Sequence, residues 1–301
     1  LTSFTYSHDS FELGMASIEA SHKMDKGSIF VDLGFGNRAA QFTYNDGIKT
    51  FIIKQLNFTY KFSDKFKVTL GSFATHVGYE LVDAVDNKNY SMSYAFTYGP
   101  FFNTGIKVQY TSNKFSFMAG VSNPTDLKST IDAGSTQKTF IGQLAFLGDT
   151  GSAYFNVTSG SSNPSSDENK TQFDFVGKKK LSKAFSLGFN GTYALTTNDL
   201  DSALDGEWFS LVGYVNFIVK ESSSVAYRLE YLDAKQATDR LGLLTGTSVI
   251  GNTLSLNYKV GNLTIIPEFR FDIASEDIFT DSNAAPKGLT AYALLATTYS
   301  F

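Results

Sequence analysis

The sequence predicts an all-β protein, an antiparallel up-and-down β-barrel that crosses a membrane. Polar and apolar residues alternate over most of the 301 residues, and aromatic residues make up 15% of the chain against 18% for charged residues. Short and long connections also follow one another along the chain. Alternation with a period of two is typical of strands that have one polar and one apolar face. In a membrane barrel the apolar face contacts lipid and the polar face lines the interior.

The alternation is clearest in residues 55–62, where polar and large apolar side chains interleave as Gln55, Asn57, Thr59, Lys61 against Leu56, Phe58, Tyr60, Phe62. The same pattern returns in residues 102–111, 225–231, 253–260 and 263–272. No segment approaches the roughly 18 uncharged apolar residues of a spanning helix, which excludes a helical membrane protein. The aromatic content excludes intrinsic disorder.

Fifteen strands are predicted from this alternation and from the polar segments that interrupt it. In chain order they lie at residues 11–22, 27–36, 51–62, 66–74, 100–112, 115–122, 138–146, 151–159, 171–181, 185–196, 208–219, 223–232, 248–260, 263–273 and 288–301. Because the pattern continues without a change of composition, we interpret residues 1–301 as one barrel domain.

The connections between these strands alternate in length. Tight connections lie at residues 23–26, 63–65, 113–114, 147–150, 182–184, 220–222 and 261–262. Long polar connections lie at residues 37–50, 75–99, 123–137, 160–170, 197–207, 233–247 and 274–287. Short turns at one rim and long loops at the other are typical of a bacterial outer-membrane barrel, with the turns in the periplasm. A soluble sandwich or propeller also alternates, but it needs no aromatic residues along the outside of every strand.

The chain end and the strand parity predict the full strand number. The last strand alternates up to Phe301, which resembles the C-terminal signature of outer-membrane barrels. If Phe301 lies in the periplasm, counting the fifteen strands back along the chain places residues 1–10 on the extracellular side. Barrels of this class normally have an even number of strands and both termini in the periplasm. We therefore expect about 16 strands in the full protein, with a first strand upstream of Leu1. Alternatively, residues 1–10 or 89–98 form a strand of their own.

A barrel of this width cannot be filled by its own side chains, so we expect a water-filled lumen and passive diffusion of small hydrophilic solutes or ions. By alternation the inward-facing residues include Asp32, Lys67, Lys107, Gln109, Asp174, Lys178, Arg228, Glu230, Lys259, Glu268, Arg270 and Asp272. Both charge signs are present in similar number, which predicts weak charge selectivity. Alternatively, these charges only hydrate the lumen and brace neighbouring strands.

The longest connection, residues 75–99, is the candidate constriction of the pore. If it folds inward, it would place three acids opposite two arginines and set a transverse field across the opening. The alternative is a loop that packs over the rim. The pore-lining and constriction candidates are Glu80, Asp83, Asp86, Lys107, Arg228, Glu230, Glu268, Arg270 and Asp272.

The sequence predicts no enzyme, no cofactor and no metal site. The chain has no Cys, and its only histidines are His8, His22 and His76. None of them lies beside a serine in a way that forms a catalytic dyad. The loop with Asp199, Asp201, Asp205 and Glu207 lacks the turning glycine of a calcium hand, so we interpret it as a solvated acidic loop. A net charge of -4 without a basic block argues against nucleic acid as a partner.

Four segments resemble the OmpL-like β-barrel porins of the Bacteroidota type. They are LGSFATHVGYE at residues 70–80, NKNYSMSY at 87–94, GPFFNTG at 99–105 and SFELGMA at 10–16. The family pattern has His where this chain has Asn103. The resemblance implies a porin of the bacterial outer membrane, in contact with outer-membrane lipid, lipopolysaccharide and small solutes. It transfers no catalytic residue.

A second function remains open at this point. The same alternation and rims are expected of a structural or accessory barrel whose lumen is blocked and which binds another outer-membrane complex. The two functions differ in the packing of the lumen. Mixed charges around a water path would favour the porin, whereas a lumen filled by the aromatic residues between Tyr94 and Phe102 would favour the accessory barrel.

Overall fold

A computed structural model describes residues 2–5, 7, 9–43, 53–130, 137–161, 168–237 and 244–301. Fifteen strands form one antiparallel sheet in which each long strand pairs with the next one along the chain. They are β1 Ala16–Lys23, β2 Gly27–Phe35, β3 Ile53–Lys61, β4 Phe66–Ala74, β5 Phe102–Thr111, β6 Phe115–Ser122, β7 Thr139–Gly148, β8 Gly151–Gly160, β9 Glu168–Lys180, β10 Phe185–Asn198, β11 Gly206–Lys220, β12 Ser223–Gln236, β13 Ser248–Val260, β14 Leu263–Ala274 and β17 Leu289–Tyr299. The short strands β15 Phe279–Thr280 and β16 Pro286–Lys287 form a separate pair in the last long connection.

The helices of the described residues are short and lie in the long connections. They are α1 Asn37–Phe42, α2 Tyr94–Thr97 and two 3-10 turns at Ala84–Asp86 and Ser202–Leu204. Among the residues that the structure describes, no helix is long and apolar enough to span a membrane.

The two faces of the sheet differ sharply in polarity. On β12 the side chains of Arg228 and Glu230 are buried, whereas the intervening Leu229 is exposed. On β14 Arg270 is buried and Phe269 is 52% exposed. A soluble protein shows the opposite arrangement, because water favours charged side chains outside. An apolar outer surface around polar contents is what a lipid-facing barrel requires.

The sheet curves around residues 75–99, which we name the inner loop. Asp83 of this loop accepts a hydrogen bond from the Ser17 hydroxyl of β1 at 2.7 Å. Asn89 of the same loop donates to the Ser255 hydroxyl of β13, also at 2.7 Å. Since β1 and β13 lie near opposite ends of the strand order, the two ends of the sheet approach one another around the loop. We call the face in contact with the loop the inner face.

The fifteen predicted strands are observed, with small shifts of their ends. The largest shift is in β1, which begins at Ala16 rather than at residue 11. The carbonyl of Gly14 accepts a hydrogen bond from the backbone N–H of Arg38 at 3.0 Å, so this segment pairs with the start of α1. Residues 89–98 contain α2 and no strand. β1 and β17 are the two edge strands of the described sheet, and the sixteenth strand stays a prediction.

Candidate functional site

The inner loop crosses from β4 to the far wall of the sheet within its first few residues. The ring Nε2 of His76 lies 2.9 Å from the carbonyl oxygen of Val157 on β8. The backbone N–H of Gly78 donates to Asp174 of β9 at 3.0 Å. Gly78 has a φ of 94°, a left-handed conformation that glycine adopts without steric cost and that turns the chain here. The loop therefore lies against the inner face and does not pack over the rim.

Arg228 is the first anchor of the loop. Its Nη1 lies 2.7 Å from Oε1 of Glu80, and its Nε lies 3.2 Å from Oε1 of Glu230 on the same strand. A further N–H of the guanidinium donates to the Met92 carbonyl at 3.1 Å. The arginine side chain is 0% exposed. A guanidinium without water needs all of these acceptors, because an unpaired buried charge is very costly.

Arg270 is the second anchor and shares a carboxylate with the first. Its Nη2 lies 3.0 Å from Oε1 of Glu230, and its Nε lies 2.9 Å from Oδ1 of Asp272. Its Nη1 donates to the Met92 carbonyl at 2.7 Å. Tyr94 completes the cluster, since its hydroxyl donates to Asp272 at 2.7 Å and its backbone N–H donates to Glu230 at 2.6 Å. Burial raises the pKa of Tyr94 well above its usual value, so the phenol stays a donor.

Glu268 holds the loop through its backbone. The carboxylate accepts hydrogen bonds from the N–H of Tyr90 at 2.7 Å and of Ser91 at 3.0 Å. It also accepts one from the Ser255 hydroxyl at 2.6 Å. Three donors on one carboxylate satisfy most of its lone pairs, which allows a charged group to be 2% exposed.

The three loop acids that would face Arg228 and Arg270 do not lie together. Glu80 does contact Arg228, but the pair is closed and buried, so it sets no field across an open passage. Asp83 lies at the other wall, 2.7 Å from Nζ of Lys54. Asp86 is exposed. The expected arrangement of three acids opposite two arginines is therefore not formed, because the loop carries its acids to two different walls.

Sequence reasoning missed Lys54, which is 0% exposed and also lies 3.0 Å from Asp32. Strict alternation places Lys54 on the opposite face from Gln55, on the outer side of β3. The pairing of β2 with β3 has an irregularity between Asp32 and Leu33, which shifts the register by one residue. A bulge of this kind turns a side chain to the other face, and the surrounding sequence carries no clear signal of it.

The charges that remain accessible on the inner face are mostly positive. Five of its acids are almost fully buried, at 3% exposure or less, namely Asp32, Asp174, Glu230, Glu268 and Asp272, whereas Glu19 of β1, which pairs with Asp32, is exposed. Several lysines on the same face are exposed or half-buried, namely Lys61, Lys67, Lys107, Lys178 and Lys259. Lys107 has its Nζ 3.9 Å from the Phe73 ring. Weak charge selectivity is predicted from similar numbers of positive and negative residues on the inner face. The inner-face charges that water can reach are not balanced in this way.

An apolar cluster closes the inner loop on its other side. It combines residues of the chain start, of α1, of the inner loop and of the segment that leads into β5, namely Phe4, Phe42, Met92, Phe96, Phe101 and Phe102. Phe42 and Phe101 stack with their ring centroids 5.9 Å apart. These rings fill space inside the barrel, and this is the packing that the sequence analysis associates with an accessory barrel.

The histidines and the acidic turn near residue 200 form no catalytic or metal centre among the described residues. Burial lowers the pKa of His76 to about 4, so its ring is neutral at ordinary pH. Asp201 and Asp205 accept backbone hydrogen bonds within their own turn, from the N–H groups of Ala203 and Asn198. Within the described ranges, no group of three or more His, Cys, Asp or Glu residues could hold a metal ion. His8 lies outside the described residues.

A family model described as beta-barrel porin-2, OmpL-like, matches residues 1–301. The fold resembles OmpT, an outer membrane protein of Vibrio cholerae, at 12% identity and a TM-score of 0.60, over 95% of this chain and 89% of that chain. It resembles an anion-selective porin from Comamonas acidovorans at 11% identity and a TM-score of 0.62, over 94% and 85% of the chains. It resembles the outer membrane channel DcaP of Acinetobacter baumannii at 11% identity and a TM-score of 0.57, over 96% and 85%. No curated protein matches the chain.

At identities this low, the structural neighbours show the fold alone. They confirm the predicted fold class, a transmembrane antiparallel up-and-down β-barrel, over nearly the whole chain. Their likeness also agrees with the apolar outer face and the polar inner face described above.

Proposed function

This chain belongs to the OmpL-like β-barrel porin family of the bacterial outer membrane, and from that membership we propose that it lets small hydrophilic solutes and ions diffuse passively through its lumen. Family and fold indicate a channel rather than an enzyme. The observation that carries the proposal is the inner loop, which enters the barrel and is tied to its wall by buried charges. A loop held in this way narrows the lumen without depending on solvent-exposed contacts.

The passage that we propose runs beside the loop, along the inner face of β3 to β7. The loop packs most tightly on β11 to β14, where Ser210, Arg228, Thr253 and Arg270 are 0% exposed. On the other wall several polar inner residues are only half-buried, namely Gln55, Asn57, Thr59, Gln109 and Gln143. Uncharged amides and hydroxyls at partial exposure suit the transit of hydrated solutes, because they exchange hydrogen bonds with water at little cost.

In this proposal the predicted constriction residues act as anchors. Glu80, Arg228, Glu230, Arg270 and Asp272 fix the height and depth of the loop in the barrel. They do not contact passing solute, since all five are buried. The loop backbone and the half-buried residues of the opposite wall then set the size limit.

The outer face provides the proposed contacts with lipid. Exposed leucines and aromatic residues recur on neighbouring strands, as with Leu254 at 50% and Phe269 at 52% exposure. We propose that this face packs against phospholipid in the periplasmic leaflet and against lipopolysaccharide at the long-loop rim, as for other barrels of this membrane.

One observation favours a second candidate function. Met92 and Tyr94 are 0% exposed within the lumen, and the apolar cluster around Phe102 packs beside them. A lumen closed by these rings would suit the accessory barrel that binds another outer-membrane complex. The two candidates predict opposite behaviour in a transport assay.

The test is swelling of liposomes that contain the purified full-length protein, with arabinose, glucose or raffinose as the outside solute. Passive diffusion predicts swelling that slows as the sugar becomes larger. A folded barrel that admits none of the three sugars would favour the accessory barrel instead.

A further inference from the structure

A cleft of about 420 Å³ lies between the inner loop and the inner face, on the side of the short turns. Its walls include Tyr79 of the loop, Tyr214 of β11 and the turn residues Lys220–Ser223. Because short turns mark the periplasmic rim of such barrels, this cleft opens toward the periplasm. We name it the periplasmic cleft.

The periplasmic cleft has an aromatic floor with a lysine beside it. The rings of Tyr79 and Tyr214 stack with their centroids 4.0 Å apart and their planes at 13°. Nζ of Lys178 lies 4.6 Å from the centroid of the Tyr79 ring. This contact keeps the ammonium over the floor, since a cation is attracted to the face of an aromatic ring.

Three lysines of the cleft have no carboxylate partner in the described part of the chain. Among described residues, no carboxylate oxygen lies within 4.0 Å of Nζ of Lys178, Lys220 or Lys259. Lys178 and Lys259 are exposed to the cleft and lie on β9 and β13. Three ammonium groups without ion pairs make a positive potential that a carboxylate or phosphate would lower.

The acids of the cleft do not cancel this charge. Four lysines line it, namely Lys88, Lys178, Lys220 and Lys259. The lining acids are Glu80, Asp86 and Glu221. The charge of Glu80 is neutralised by Arg228, whose Nη1 lies 2.7 Å from Oε1 of Glu80. The four lysines therefore outnumber Asp86 and Glu221, the two lining acids that have no arginine partner among the residues described. The accessible charge of the cleft is therefore positive.

We infer that the periplasmic cleft binds small organic anions that carry a carboxylate or phosphate group, and that it gives the channel a preference for anions. This inference rests on the proposed function only for the second part, because binding needs no open passage. Ammonium groups around a hydrated cleft bind anions weakly enough to release them, which is what conduction requires.

The test uses two measurements on the purified full-length protein. The first is the reversal potential in a planar bilayer under a KCl gradient, which gives the ratio of chloride to potassium permeability. The second is isothermal titration calorimetry with pyrophosphate on the folded barrel in detergent. Two double variants are compared with the native protein. The first combines Lys178→Gln with Lys259→Gln, and the second combines Lys220→Gln with Lys259→Gln, at exposed positions.

Lys179→Gln is the matched control, because this lysine is the neighbour of Lys178 on the outer face and loses the same charge. We expect the native channel to prefer chloride, and the double variants to lower that preference roughly threefold. Pyrophosphate binding should weaken in both double variants and persist in the control.

The outcomes separate this inference from the proposed function. A conducting channel without chloride preference and without pyrophosphate binding would overturn the inference and leave the porin function intact. Pyrophosphate binding that depends on Lys178 and Lys259, in a barrel that never conducts, would support the site and overturn the channel. Equal loss in the Lys179→Gln control would also contradict the inference.

Discussion

Arg228 and Glu80 form an ion pair with 2.7 Å between nitrogen and oxygen, although 148 residues separate them in the chain. The pair joins the inner loop to β12, and both side chains are almost completely buried. Because the charges cannot be hydrated, the pair holds the loop only while both partners are present. The position of the loop in the lumen therefore depends on a small number of buried carboxylates and guanidinium groups.

Removal of one partner of this pair is the first prediction. Glu80→Ala should lower the free energy of unfolding by about 3 kcal/mol, since it leaves the buried Arg228 with one carboxylate fewer. The measurement is urea unfolding of the barrel in lipid vesicles. Combining Glu80→Leu with Arg228→Met should recover part of that loss, because no charge then stays unpaired. A single variant as stable as the native protein would show that the pair does not hold the loop.

Glu268 provides the second prediction. Glu268→Gln keeps the size of the side chain but weakens the hydrogen bonds from Tyr90 and Ser91, at a cost of about 2 kcal/mol. We expect the loop to loosen and protease cleavage between residues 81 and 92 to become faster. Glu276→Gln is the control, since Glu276 is exposed in the last long connection. Equal cleavage rates in both variants would argue against Glu268 as an anchor.

The third prediction concerns pH. Burial lowers the pKa of His76 from 6.5 to about 4, so the docked loop binds fewer protons than an undocked loop between these values. The free energy that favours the docked loop is therefore largest above pH 6.5. It decreases as the pH falls toward 4, by roughly 3 kcal/mol in total. Channel noise or protease cleavage of the loop should rise over this range.

His76→Gln should remove most of this pH dependence, because glutamine can donate to the Val157 carbonyl without titrating. The control is His22→Gln, which changes an exposed histidine of β1 and should leave the dependence as it is. If the His76→Gln channel responds to acid as the native one does, another group is responsible.

Lys54 gives the fourth prediction. Lys54→Met leaves Asp32 and Asp83 without the cation that lies 3.0 and 2.7 Å from them. We expect a loss of about 3 kcal/mol in unfolding free energy, because two carboxylates lose their buried counter-charge. Lys61→Met on the same strand is exposed and should have little effect. Equal stability of the two variants would mean that the bulge does not bury Lys54 in a required pair.

The strands could be predicted from the sequence because their signal is local. A strand with one face in lipid and one in water must alternate residue by residue, as residues 55–62 do. The tight turns are also recognised from a few neighbouring residues. Because a short turn joins strands that lie side by side, the strand order and the antiparallel pairing of consecutive strands follow from them. For residues 75–99 the sequence leaves a path into the lumen and a path over the rim both open, and it places Glu80 opposite Arg228 only in the first case.

What could not be predicted depends on distant contacts. Lys54 faces inward because of a bulge opposite Asp32, and alternation alone assigns it to the lipid side. Asp83 binds Lys54 and not an arginine, because the loop returns across the lumen between Glu80 and Tyr90. The sequence shows which residues carry charge, whereas the fold decides which charges remain in contact with water.

Single-channel conductance of the native barrel and of the Glu268→Gln variant in a planar bilayer shows whether the inner loop constricts an open channel. We expect steady conductance from the native protein and a larger, noisier conductance once the loop is loosened. Silence from both proteins, with circular dichroism showing folded and inserted barrels, would contradict a diffusion channel constricted by the inner loop.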